Sequence, residues 1–153
     1  MDSMDASLPL IYAHNDVEIY RVTPRAYVRK ASFETRGQSG GGYLLLSGSV
    51  LAVEAPSIEG AEEMLAEAKE LFGLPVSHVL LTHAHYDHAD GLPVFLREGA
   101  ALIGSSALIN RLASEGKALP ARCMGVDGAR LFLDGLVLEL YTAYGAHSGE
   151  DLY

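Results

Sequence analysis

Cysteine is nearly absent from this 153-residue chain, and tryptophan is missing altogether. With Cys123 alone, no disulfide can close within one chain and no multi-cysteine metal site can form, which fits a reducing compartment. Basic residues are also scarce, eleven against twenty acidic ones, for a formal charge of -9. That balance repels phosphate backbones and anionic lipid, so it argues against nucleic acid and membrane surfaces as partners. No apolar run approaches the roughly 18 residues that cross a bilayer. Residues 1–7 are acidic where a secretory leader would be positive, and the apolar run 8–13 is too short for a leader's hydrophobic segment. A cytoplasmic protein is expected. What the chain does have is 49% hydrophobic content, enough to bury one sizeable core.

The pattern along the chain predicts an amino-terminal extension over 1–16 and one domain over 17–153. Residues 17–22, 26–33, 43–47 and 50–55 alternate and break like the strands of an antiparallel meander. The glycine-rich segment 35–42 between the second and third reads as a loop, with a close backbone approach to a ligand as the alternative. Ser57 caps a predicted helix that runs to about Phe72, where Gly73 and Pro75 stop it. Its glutamates from Glu59 to Glu70 read as a solvated face. Residues 76–82 then form a short buried strand, followed by a helical turn at 92–97, a strand at 101–104 and a helix at 106–114. Asp134-Gly135 predicts a tight hairpin between 129–133 and 136–144.

Directly after the strand at 76–82 stands His83-Ala-His85-Tyr-Asp87-His88, four potential metal ligands within six residues. Imidazole nitrogens and a carboxylate suit zinc. Side chains two apart on an extended segment point the same way, so His83 and His85 can grip one ion. Asp87 and His88 follow as the chain turns, where they could face a second. Two metals about 3.5–4 Å apart are a known hydrolytic device. Zinc lowers the pKa of its water to roughly 7, making hydroxide available at neutral pH. Asp87 would hold that water in line and pass a proton to the leaving group.

The His83-x-His-x-Asp-His88 motif after an apolar strand, with Gly91-Leu-Pro93 beyond it, resembles the signature of the metallo-β-lactamase superfamily. His147 in Gly-Ala-His-Ser-Gly, 59 residues past His88, resembles that family's third histidine. Upstream, 27–33, the glycine run and the strands to Pro56 are similar to the amino-terminal region of the di-zinc β-lactamases, so the likeness spans from about Val17 to the end. It implies a mixed α/β (α+β) fold, the αββα sandwich, of which this chain carries the amino-terminal portion. It also implies one metal held by His83, His85 and His147 and a second served by Asp87 and His88.

Members of that family hydrolyse β-lactams, thioesters, lactones, sulfate esters and phosphodiesters, and some are iron-containing oxygenases, so the fold does not choose the substrate. The β-lactamases closest at the amino terminus usually lack a histidine where His88 stands, whereas the thioesterase and lactonase branches usually have one. Asp90 replaces a common glycine. Family members extend over 200 residues or more, and their later part supplies a bridging ligand and a last histidine. The resemblance therefore implies a truncated chain, with the His83 site nearly complete and the Asp87 and His88 site incomplete.

The expected activity is that of a metal-dependent hydrolase, with metal-bound hydroxide attacking an ester, thioester or lactam carbonyl of a small molecule. One alternative is a metal-binding half-domain without activity that self-associates through an uncovered sheet face into a homo-oligomer. Another is an iron-dependent oxygenase, since the ligand types suit zinc, iron and manganese alike. His78, inside the strand, alternates away from the cluster and reads as structural, while His14 reads as solvated. Cys123 reads as an inert or buried thiol.

Overall fold

The computed structural model describes residues 8–32, 40–83, 86–120, 122–126, 128 and 130–141, the side chains of Tyr86 and Asp87 excepted. Strands β1 (Leu10–His14), β2 (Val17–Thr23), β3 (Ala26–Ala31), β4 (Gly41–Leu45) and β5 (Val50–Val53) form an antiparallel meander. The sheet thus begins seven residues earlier than the alternation from Val17 suggests. β1 pairs with β2 across a turn at Asn15 and Asp16, both of which hold positive φ.

Helix α1 (Ile58–Phe72) then carries the chain over one face of the sheet. Its ends are fixed as the sequence predicts. The Ser57 side chain accepts a hydrogen bond from the Gly60 N–H at 2.9 Å, and Gly73, at φ 65°, returns its N–H to Lys69 at 2.9 Å.

The sheet continues in parallel through β6 (Val76–Leu80), β7 (Ala101–Gly104) and β8 (Cys123–Gly125). The connections carry the short helices α2 (Tyr86–Ala89) and α3 (Leu92–Arg97), then α4 (Ser106–Ser114). Strand order is β1 to β8 in sequence, with β9 (Arg130–Leu133) and β10 (Leu136–Glu139) paired as a separate hairpin. Asp134 and Gly135 at its turn have φ of 45° and 83°, the conformation a two-residue type I′ turn requires.

Two apolar cores lie on the two faces of the large sheet. One joins Met64 and Ala68 of α1, Phe95 of α3 and Leu108 of α4 to Tyr43, Ala52, Val79 and Leu102. The other sets Leu51, Leu80 and Ile103 against Leu131, Leu133, Leu136 and Leu138 of the hairpin. Among the described residues the layers therefore run helices, sheet, sheet.

The final two glycines of the glycine-rich segment belong to β4 rather than to a loop. A Cβ on Gly41 would stand 2.3 Å from the Val53 carbonyl oxygen, and one on Gly42 2.5 Å from that of Tyr27. The close approach at these two positions is to neighbouring strands and not to a ligand. The part of the segment over 35–39 lies outside the described residues.

Candidate metal centre

Parallel strands deliver their carboxyl ends to one rim, where ligands gather in α/β sheets. His83 stands there, buried, three residues past the end of β6. Its Nδ1 lies 3.0 Å from Thr82 Oγ1, while its Nε2 is buried. His88, on α2, brings its ring to 4.1 Å from that of His83, centroid to centroid, at 45°. Two of the five residues assigned as ligands are thus side by side. His85, the Asp87 side chain and His147 lie outside the described residues.

Sequence reasoning did not single out the residue that organises this rim, Glu54. It follows β5, is buried at 4% exposure and takes a φ of 74°, a left-handed conformation rare for a glutamate. Its Oε1 accepts the Thr82 N–H at 3.0 Å, and its Oε2 meets Nδ1 of His88. The backbone nearby closes the same loop: Ala55 N–H donates to the His88 carbonyl at 2.9 Å and Gly91 N–H to the Ala55 carbonyl at 2.8 Å. One signal could have found Glu54: an acidic residue inside the otherwise apolar run 50–55, just before Pro56.

The donor set fits a transition metal. Both rings have Nδ1 against a protein partner, which leaves Nε2 as the nitrogen each would offer a metal. Where they would hold an ion, neutral imidazoles and a carboxylate are the ligand chemistry zinc takes.

A second polar cluster lies between β1 and α1. His14, Glu63 and Glu67 place their ligand atoms within 4.8 Å of one another, the one such His/Cys/Asp/Glu group among the described residues. Its acceptors are already engaged. Glu67 takes Arg29 Nε at 2.8 Å and Tyr43 Oη at 2.5 Å on Oε1, and Arg29 Nη2 at 3.1 Å and His14 Nε2 at 2.7 Å on Oε2. Arg29 also reaches Glu63 at 3.3 Å. A guanidinium within the cluster opposes a cation there, so we read an ion-pair network.

Burial, then the charge of Glu67, pushes the Tyr43 phenol well above its usual range, which keeps it a donor. Two sequence expectations are corrected here. His14 is tied to Glu67 rather than solvated, and Glu67 is interior at 1% exposure, not part of a solvated helix face. Alternation along β1 and the period of α1 turn both toward the sheet–helix interface.

His78 lies in β6, five residues before His83, with Nδ1 on Ser77 Oγ at 2.7 Å. Burial, helped by the Arg122 charge, lowers its pKa. Cys123 is half-buried, its Sγ 3.3 Å from the Pro120 carbonyl oxygen, and burial raises its pKa, away from a reactive thiolate.

A sheet with helices on one face, a second sheet on the other and paired histidines at the carboxyl rim defines the class. The family model of the metallo-beta-lactamase superfamily matches residues 51–135, more than half of the chain, and the chain belongs to that superfamily. Solved structures agree on the fold. A metallo-beta-lactamase from Pontibacter korlensis superposes with a TM-score of 0.69 at 20% identity, over 95% of this chain and 65% of that one. One from Erythrobacter litoralis, with beta mercaptoethanol in its active site, gives 0.72 at 21% identity, over 94% and 67%. Metallo-beta-lactamase IND-7 gives 0.68 at 18%, over 95% and 65%. The chain thus spans about two thirds of the length of the solved structures it matches. No helix among the described residues is long and apolar enough to cross a membrane.

Proposed function

We propose that this chain carries the zinc-binding part of a hydrolase that cleaves an ester, thioester or lactam carbonyl. His83, His85 and His147 hold one ion, and Asp87 and His88 serve a second. The observation that carries the reading is the pair His83 and His88, 4.1 Å apart at the rim of the parallel strands with both Nδ1 atoms turned to protein groups. When bound, zinc supplies Lewis acidity and a water that ionises near neutral pH. Thr82 fixes the rotation of His83, and Glu54 fixes that of His88. Asp87 orients the attacking water and moves its proton toward the leaving group.

Metal analysis and a panel of thioesters, lactones and β-lactams test this. Protein purified without added metal is expected to hold zinc, about one tight equivalent, and H85A is expected to lose it. Iron in place of zinc would favour oxygen chemistry, and unchanged stoichiometry in H85A would refute the ligand assignment.

A second reading concerns assembly with another copy, and the outer face of the hairpin favours it. Phe132 and Val137, paired directly across the strands, are 73% and 54% exposed, and beside them Arg130 pairs with Glu139 at 3.0 Å. A two-fold axis along the strands would set Phe132 of one protomer over Val137 of its partner and Arg130 over Glu139. The face is complementary to itself, as a symmetric interface requires.

A further inference from the structure

We propose that Glu54 is a positioning residue that selects the metal-binding tautomer of His88 and couples it to the strand exit that presents His83. The inference rests on the zinc reading above and adds to it a residue that is not itself a ligand. An ionised carboxylate can only accept hydrogen bonds. Glu54 Oε2 lies against Nδ1 of His88 while Oε1 accepts the Thr82 N–H, so in the proposed arrangement Oε2 accepts the proton on Nδ1 and the Nε2 lone pair faces a metal.

The other oxygen does separate work. Oε1 accepts the N–H of Thr82, whose hydroxyl stands 3.0 Å from Nδ1 of His83. One buried side chain thus spans two segments that come from different elements, the end of β6 and the start of α2. The backbone at Glu54 reinforces this placement. Its own N–H is held by the Leu80 carbonyl at 2.8 Å, and its φ of 74° is sustained although a glutamate gains nothing locally from it. A strained conformation of this kind costs about 1–3 kcal/mol and persists where the surroundings fix it.

The alternative, a carboxylate kept only for packing, makes a different prediction for Glu54→Gln. Glutamine has nearly the same shape, but its amide can donate to Nδ1. That would move the ring proton to Nε2 and block the metal-binding nitrogen. A packing role would leave the tautomer unmoved.

The test begins with the intact metal-free chain, using long-range proton–nitrogen correlations of the histidine rings under mildly alkaline conditions. The wild type is expected to show His88 protonated at Nδ1, and E54Q to shift that proton to Nε2. Zinc titration by calorimetry, with circular dichroism as the fold control, is expected to show E54Q and E54D weakening the weaker binding event about 10-fold or more. The tight event is expected to weaken by a smaller factor, because Glu54 reaches its ligand His83 only through Thr82.

A wild type with His88 protonated at Nε2 overturns the proposal with no variant needed, so an unfolded E54Q does not rescue it. Zinc binding by E54Q equal to that of the wild type also overturns it while the metal reading stands. A wild type that binds no zinc overturns both.

Discussion

Glu67 keeps a carboxylate inside the protein, where an unpaired charge would cost several kcal/mol. Arg29, itself 1% exposed, meets both of its oxygens, while Tyr43 and His14 fill the remaining directions. Burial disfavours the Arg29 cation, but the hydrogen bond and charge of Glu67, joined by the charges of Tyr43 and Glu63, leave its pKa raised. Removing Arg29 alone leaves the buried carboxylate without its cation. Arg29→Met is expected to destabilise the fold by about 3–5 kcal/mol in urea unfolding. The double variant with Glu67→Leu should recover much of that loss, because no buried charge is then left unpaired. Equal costs for the single and double variants would show that packing, not charge, sets the loss.

At the scale of elements, the segment that carries His83 and His88 runs on to Gly91, which packs against the start of α1. A Cβ on Gly91 would stand 2.3 Å from the carbonyl oxygen of Ser57, the α1 cap, and 2.9 Å from the Ala61 Cβ. Backbone cannot yield as a side-chain tip can. Gly91→Ala is expected to cost about 1–3 kcal/mol, read by thermal or urea unfolding, and to weaken zinc binding together with stability. Stability and zinc affinity both at wild-type level would show that the loop does not depend on this contact.

Much of this layer was legible in the sequence. Ser57, Gly73 and Asp134-Gly135 act through backbone chemistry that stays local, so the ends of α1 and the hairpin turn fall where predicted. β1 was not legible, because Leu10–His14 lacks clean alternation and is held by pairing with β2 and by Tyr12 and His14 bonding to Glu70 and Glu67 of α1. Gly41 and Gly42 misled for a related reason. Their composition reads as a loop, while the crowding that demands glycine comes from Val53 and Tyr27 on neighbouring strands. In the site, ligand types and spacing marked His83 and His88. Glu54 stayed hidden because its role arises from a segment 34 residues away.

For the whole molecule, the proposed pairing of hairpin faces predicts the behaviour in solution. Apolar side chains flanked by one cation and one anion favour a symmetric pair, so sedimentation should show mass rising with concentration toward a dimer. Phe132→Asp should hold the chain as a monomer with its circular dichroism unchanged. A wild type that stays monomeric at high concentration would remove the second reading while leaving the zinc proposal untouched.

The strand order has a consequence of a different kind. Every strand of the large sheet lies beside its neighbours in sequence, from β1 through β8. No strand must be inserted between two that have already paired, so the sheet can lengthen in the direction of synthesis, each newly made strand meeting a finished edge. Within the meander from β1 to β5 the contacts are local and close quickly, whereas the parallel pairs from β5 to β8 join segments more than 20 residues apart and close slowly. The edge that ends beside Glu54 therefore needs no later residue to form, while the turn bearing His83 and His88 waits on the slower pairing of β6.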